Sequence, residues 1–297
     1  MLGDDRWSRW VLDSRFAGLD QQRDATRKHL EAVRDRVIAA AGPLQGATVL
    51  DVGCGDGLIG LTALNAVGRE GEVVFCDISD ALLDECRSAV LRQKSTAKAR
   101  FIRSSVSGLA GIGDGSMDAV TMRSVLLYVH DKPTALASIR RVLRPGGRLS
   151  IFEPINRLML PEPNDRFWGY DVSGVDELAT RVKKRFHEME APGWLDVMMD
   201  FDDRDLLQLM EAAGFEHLHV ECHMDVEHGS LLRPISLDAL LGIAPNPNAP
   251  TIAEAARAAL TEEELRRFMG KLSAAFENKR CVRREAVVYA SASKALS

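Results

Sequence analysis

Short apolar runs alternate with amphipathic stretches through the middle of this chain. The runs at 47–52, 72–77, 99–103, 117–122 and 148–153 have the length of buried strands. Between them, 57–67, a segment from Ser79 or Asp80 to about 93, and 133–143 repeat apolar residues every three or four positions, as helices do. Ser79 is suited to cap the second of these helices. Pro145-Gly146-Gly147 reads as a turn between helix and strand. Strand and helix in this alternation predict a parallel, doubly wound α/β sheet. The pattern returns late in the chain, with a helix at 202–213 ended by Gly214, a strand at 215–224 and a final strand at 283–290.

Three stretches break the alternation. Over 7–41, Trp10, Val11, Phe16 and Leu19, then Leu30, Val33, Val37 and Ile38, fall at helix spacing, and Gly42-Pro43 stops the pattern. Residues 154–200 hold four prolines and the aromatics Phe167, Trp168, Tyr170, Phe186 and Trp194. That stretch is too long for an ordinary connection and too apolar for disorder. A further insertion over 226–280 carries the loop Pro245 to Pro250, and Thr261 to Glu264 reads as a capping box. The predicted organisation is an N-terminal helical cap (1–45), a core (46–153), a cap insertion (154–200), the core continued (201–225), a helical insertion (226–280), and a last core strand with its tail (281–297).

Composition narrows the classes of partner. The formal charge of −5 lacks the basic footprint of a nucleic-acid binder. The compact basic run 181–185 reads as a solvated helix face. Five cysteines show no Cys-x-x-Cys spacing, and Cys54 and Cys76 fall inside strand and turn motifs, as reduced buried thiols of a cytoplasmic protein would. The first six residues show no signal-peptide pattern, and no apolar run is long enough to span a membrane.

The chemistry concentrates at Val49-Leu50-Asp51-Val52-Gly53-Cys54-Gly55-Asp56-Gly57. Glycines at 53, 55 and 57 allow a sharp turn and a close approach of backbone to a ligand. With Gly60 following, their spacing alone does not separate a dinucleotide site from others. The charges do more. Asp51 and Asp56 flank the loop, no Lys or Arg lies between Val49 and Val67, and a second strand ends in Asp77. Two carboxylates repel a pyrophosphate but suit a cofactor carrying an amino group and a sulfonium, which points to S-adenosylmethionine (SAM) over NAD. The absence of Gly-Lys-Ser/Thr excludes a P-loop.

On these residues, together with Val-Val-Phe-Cys-Asp-Ile-Ser (73–79), the stretch 118–129 and Arg-Val-Leu-Arg-Pro-Gly-Gly-Arg-Leu-Ser-Ile (141–151), the chain resembles the class I SAM-dependent methyltransferases. The resemblance covers roughly 45–225 plus the last strand and is nearest to the group of ubiquinone/menaquinone C-methyltransferases and bacterial natural-product methyltransferases. It implies a mostly parallel, seven-stranded Rossmann-like sheet with helical cap insertions. It also implies that Asp51 lies near the methionine amino group of SAM, although the same carboxylate could cap the glycine turn. Gly53, Cys54 and Gly55 would present backbone to the methionine moiety, Asp77 would accept the ribose hydroxyls, and Ile78 would pack on adenine. Where the family commonly has an aspartate for the adenine amino group, this chain has Ser105, so adenine recognition would lean on the Val106 backbone. Arg123 either orients cofactor or acceptor or is an ordinary ion-pair partner.

Methyl transfer from a sulfonium is an in-line displacement that mainly requires positioning and exclusion of water. The related C-methyltransferases often carry His-His after the fourth strand, where this chain has Leu127-Tyr128. Tyr128 could bond an acceptor oxygen or merely pack. His130 could act as a general base or be plain surface. Glu153 could face the acceptor or cap a loop. Trp10, Phe16, Trp168, Tyr170 and His187, with Trp194, are candidates for the acceptor pocket or for core. His217, His219 and His223 share one face of a strand with Cys222 on the other, so a metal site is not expected. Arsenic methylation needs several thiols, and 154–221 has none. The sequence therefore predicts a SAM-dependent methyltransferase of a small, apolar or aromatic metabolite. The rivals are a SAM-binding regulator without turnover and a nicotinamide oxidoreductase. The apolar residues of 7–41 and 228–280 leave a homodimer open.

Overall fold

The computed structural model describes residues 5–229 and 235–296; the expectations for 1–4, 230–234 and 297 lie outside the described residues. The chain divides into two compact units: a sheet unit of Leu30–Ile155, Asp200–Cys222 and Val287–Ser297, and a helical unit of Met1–His29, Asn156–Met199 and His223–Ala286.

Seven strands form the sheet: β1 (Thr48–Val52), β2 (Glu72–Asp77), β3 (Lys98–Arg103), β4 (Met117–Arg123), β5 (Leu143–Pro154), β6 (Phe215–His228) and β7 (Val282–Lys294). Their order is β3-β2-β1-β4-β5-β7-β6. The first five pair in parallel, and β7 runs antiparallel to β5. This is the doubly wound sheet expected. β1, β2 and β4 are buried along nearly their whole length, as continuous apolar runs in parallel sheets are. The Phe75 and Phe101 rings stack at 5.1 Å on one face of the sheet.

Helices α1 (Arg6–Leu12) and α2 (Asp20–Ala40) account for the first amphipathic stretch. From Leu30 onward α2 lies on the sheet, where Val33 and Val37 join Ile59, Phe152 and Val287. Helix α3 (Gly60–Val67) begins three residues later than its periodicity predicts. The preceding residues are turned out of helical geometry, with positive φ at Gly53, Gly55 and Gly57. Helix α4 (Asp80–Gln93) is capped by Ser79, whose hydroxyl accepts from the Leu82 N–H. Helix α5 (Lys132–Val142) is capped by Asp131. The turn expected at Pro145-Gly146-Gly147 lies inside β5 as an irregularity: Met117 pairs with Leu143, while Ala119 pairs with Arg148.

In the helical unit, α6 (Asp176–Met189), α7 (Trp194–Met199), α9 (Leu237–Gly242), α10 (Ile252–Ala259) and α11 (Glu262–Glu277) accompany a two-stranded ribbon of Arg166–Phe167 and Tyr170–Asp171; α8 (Asp203–Ala212) belongs to the sheet unit. The capping box of Thr261 and Glu264 opens α11 as expected, and Thr251 with Glu254 makes a second one on α10. The core of this unit gathers Phe167, Val182, Phe186, Ile252, Phe268 and Leu272 from separate stretches of chain. Phe167 meets Phe268 edge to face at 5.1 Å.

Candidate active site

The carboxyl ends of β1, β2, β4 and β5 bring the predicted residues together within the sheet unit. Asp51, at 1% exposure, points its carboxylate at the start of α3: one oxygen accepts from the Gly60 N–H at 2.9 Å and the other from the Thr121 hydroxyl at 2.9 Å. It caps the helix beyond the glycine turn. Burial raises its carboxyl to about 7, against those two hydrogen bonds and the charge of Arg123. A buried carboxyl of this kind gains from a cationic neighbour, and a pyrophosphate offers the opposite charge.

Asp77 fastens the glycine loop. One oxygen accepts from the Gly55 N–H at 3.0 Å and the other from the Ser79 N–H at 3.0 Å. The loop is also stitched to β2 through the Cys54 N–H and the Cys76 carbonyl. Beside Asp77, Ile78 is 45% exposed, an apolar side chain left in solvent at the end of a buried strand. Ser105 is exposed and accepts from the Ser107 N–H, shaping the turn after β3, while the Val106 side chain is buried.

Gly53 meets the loop after β4. A Cβ there would fall 2.3 Å from a methyl of Val125, and its φ of +62° also disfavours a side chain. The Val125 turn is itself held by Glu153, whose carboxylate accepts from the N–H groups of Val125 at 2.9 Å, Leu126 at 2.8 Å and Leu127 at 3.3 Å. Glu153 is 0% exposed, and burial raises its carboxyl to about 7. The structure thus realises the loop-capping alternative for Glu153: a side chain with no accessible surface and three amide donors does not face an acceptor. Arg123, half-buried at the end of β4, bears electrostatically on both Asp51 and Glu153 and holds each lower than burial alone would. Tyr128 closes the turn half-buried. His130 is exposed and lines a cavity of about 370 Å³ with Lys132, Asp200 and Phe201. The buried Lys132 ammonium there bonds the Val129 carbonyl and Asp200.

Three thiols surround the loop. Cys54 and Cys86 lie 3.8 Å apart, and Cys86 bonds the Gly55 carbonyl at 3.3 Å. The contact with Cys86, then burial, pushes the Cys54 thiol well up, and burial pushes Cys76 up to about 12, so both are poor thiolates.

The aromatic candidates lie in the helical unit and separate into two groups. Phe16 and Tyr170 are corrected to core. Phe16 is covered by the guanidiniums of Arg15 and Arg23, and Tyr170 stacks on Phe276 at 5.5 Å; neither leaves ring surface for a ligand. Trp10, Trp168 and His187 keep surface. Trp10 donates its indole N–H to the Ala244 carbonyl at 2.8 Å beside a cavity of about 440 Å³. Trp168 meets Phe186 edge-on, and His187 bonds Glu190 at 2.9 Å. Trp194 packs by Trp7. Among the described residues no three or more His, Cys, Asp or Glu side chains are grouped to hold a metal ion, and His219 is bonded to Glu221.

Sequence reasoning did not single out Thr121 or Val125. Thr121 carried a signal, a lone hydroxyl inside the apolar run of β4. Val125 carried none, because its role is a contact with a glycine 72 positions earlier in the chain.

A glycine loop flanked by carboxylates, a strand-end carboxylate that fastens it and an adjacent exposed apolar side chain fit SAM and define a class I SAM-dependent methyltransferase. The family model described as the ubiE/COQ5 methyltransferase family matches residues 25–225. The chain belongs to that family and is a SAM-dependent methyltransferase. It is 30% identical over 213 residues to the ubiquinone/menaquinone biosynthesis C-methyltransferase UbiE of Azotobacter vinelandii (strain DJ / ATCC BAA-1303), covering 70% of this chain and 81% of the relative. It is 32% identical over 186 residues to the protein of the same name from Stutzerimonas stutzeri (strain A1501), covering 61% and 70%. Among solved structures, the YcgJ protein of Bacillus subtilis shares the fold with a TM-score of 0.53 at 14% identity, over 90% of this chain and 99% of that one. Neither a nicotinamide oxidoreductase nor a regulator without turnover is favoured by these relatives. No helix among the described residues is long and apolar enough to cross a membrane.

Proposed function

We propose that the methyl acceptor is a small, largely apolar or aromatic metabolite, methylated on O, N or C in the cytoplasm, and that the reaction serves natural-product metabolism. The observation that carries this reading is the Val125–Tyr128 turn. Glu153 clamps it by three amide bonds, Leu126 and Leu127 are buried in it, and its half-buried side chains are Val125 and Tyr128, an aliphatic group and a single hydroxyl, where related C-methyltransferases carry two imidazoles. Such a lining suits a flat or greasy acceptor with one oxygen. The names of the two UbiE relatives, quinone-biosynthesis C-methyltransferases, support the same class.

When bound, SAM supplies a methyl group on an electron-poor sulfonium carbon. Asp77 would accept the ribose hydroxyls, and Ile78 and the Val106 backbone would hold the adenine. Asp51 and the backbone of Gly53, Cys54 and Gly55 hold the methionine end, and Arg123 fixes the charge of the two buried carboxyls. Tyr128 donates to the acceptor oxygen and so aligns the nucleophile. His130 takes a proton where the nucleophile carries one. Glu153 is a positioning residue, and Trp10, Trp168 and His187 remain acceptor candidates of the helical unit.

The test is turnover of methyl-labelled SAM on a panel of phenols, quinols, amines and amino acids, with products located by mass spectrometry. Turnover on phenolic or quinol-type acceptors is expected. Tyr128→Phe should lower kcat/KM for these by about tenfold, as one lost hydrogen bond does, with SAM affinity unchanged. Turnover confined to amines or amino acids overturns the acceptor class.

A further inference from the structure

Strand β4 ends in Arg123, and the chain turns sharply just beyond it. Ser124 has φ +53°, in the left-handed region that side chains disfavour, and donates its N–H to the Phe152 carbonyl of β5. This turn lies against the glycine loop, since Val125 is the side chain that a Cβ at Gly53 would strike. In the parallel pairing of β1 with β4, Asp51 stands opposite Thr121 and Val52 opposite Met122. The next step along each strand brings Arg123 level with Gly53.

Arg123 is half-buried, and among the described residues it makes no hydrogen bond and no ion pair. The carboxylates whose charge it meets are held by other donors. Asp51 accepts from the Gly60 N–H and the Thr121 hydroxyl, and Glu153 accepts from three backbone N–H groups. Arg123 acts on both through its field alone, so the ordinary ion pair left open by the sequence is not formed. A guanidinium partly withdrawn from water without a partner is costly, and a carboxylate that meets its planar donors in pairs offsets that cost. One cation set beside Asp51, Asp56 and Asp77 gives the loop both signs of charge. The amino-acid end of SAM also has both signs, an ammonium and a carboxylate on one carbon.

We propose that Arg123 binds the carboxylate of the methionine moiety of SAM and so selects a cofactor with an intact amino-acid end. This rests on the reading that the methionine end lies at Gly53, Cys54 and Gly55. A carboxylate on the acceptor is the competing occupant. The cofactor is favoured because the turn after Arg123 packs on the glycine loop and because the field of Arg123 reaches Asp51.

The test is calorimetric titration of the full chain with S-adenosylhomocysteine and with its decarboxylated analogue, which keeps the nucleoside, the sulfur and the ammonium. The acidic loop by itself favours the analogue, which has lost a negative charge. A carboxylate held by Arg123 reverses that order, so the parent should bind S-adenosylhomocysteine tighter by about tenfold or more. Arg123→Met should weaken S-adenosylhomocysteine by a similar factor and leave the analogue nearly unchanged, and Arg123→Lys should restore part of the preference. Equal or tighter binding of the analogue by the parent overturns the proposal, and that comparison needs no variant. A variant that weakens both compounds alike also overturns it, since Arg123 then acts through Asp51 or the fold. Binding of neither compound by the parent removes the cofactor from the glycine loop and the proposal with it.

Discussion

The glycine loop at 53–57 and the turn at 125–127 are built alike and end differently. Each follows a buried parallel strand, and each is tied to a carboxylate at the end of the adjacent strand, the first by the Gly55 N–H to Asp77 and the second by three N–H groups to Glu153. Asp77 also accepts from the Ser79 N–H and keeps 7% of its surface, next to an exposed Ile78. Glu153 holds three amides and keeps none. Residual exposure, more than residue type, separates a strand-end carboxylate at the edge of the site from one enclosed by the fold. Val125 against Gly53 couples the two loops, so a change in either clamp reaches the other through a methyl contact.

Removing Asp77 should break the comparison most visibly. Hydrogen bonds to a charged group contribute about 1.5–3 kcal/mol each, so Asp77→Ala should weaken SAM binding by well over tenfold, measured by calorimetry with S-adenosylhomocysteine. Affinity equal to the parent would remove the ribose from Asp77.

Glu153→Gln should act on the fold instead. The amide side chain keeps one acceptor oxygen and sets an NH2 against backbone donors, which costs about 1–3 kcal/mol in urea titrations at pH 7. Cofactor affinity should change less than for Asp77→Ala, and added acceptor should not restore stability. A loss seen only in acceptor KM, with parental stability, would return Glu153 to the acceptor site.

The buried carboxyls also set a pH dependence. Asp51 and Glu153 each titrate near 7 in the folded chain, raised by burial, while an unfolded carboxyl titrates near its ordinary value. Between the ordinary carboxylate range and about 7 the folded state retains protons that the unfolded chain has released, so these two groups make stability fall as pH rises through that window. Urea midpoints from pH 5 to 8 should show the decline, and Glu153→Gln should flatten its share. An ammonium at Asp51 favours the carboxylate, so SAM binding near pH 7 should release protons, detectable as a buffer-dependent binding enthalpy.

The smallest effect is expected far from both loops. Thr261→Ala removes the N-cap of α11 and should cost about 1 kcal/mol with SAM affinity unchanged. A change in affinity would show that the helical unit is energetically coupled to cofactor binding.

The middle of the sheet was legible because β1, β2 and β4 are continuous apolar runs separated by helices. Ser79 and Thr261 mark two helix starts by chemistry that acts within four residues; the cap by Asp131 was not read from the sequence. The late start of α3 and the irregularity within β5 were not legible, since periodicity continues through residues whose backbone turns out of regular geometry. Phe16 and Tyr170 show the same limit for side chains: an aromatic on a helical or insertion segment reads alike whether it lines a pocket or fills a core, and burial by residues distant in the chain decides.

The sequence by itself determined the class of fold, the acidic glycine loop and its preference for a cationic cofactor, because strand length, turn geometry and local charge depend on neighbours in the chain. Tertiary structure alone decided how far each carboxylate is enclosed and which groups it binds. Asp51 became a helix cap held by Thr121, Glu153 became a three-amide clamp, and Asp77 fastened the glycine loop while keeping some surface, because each outcome depends on amides and hydroxyls delivered by another part of the fold.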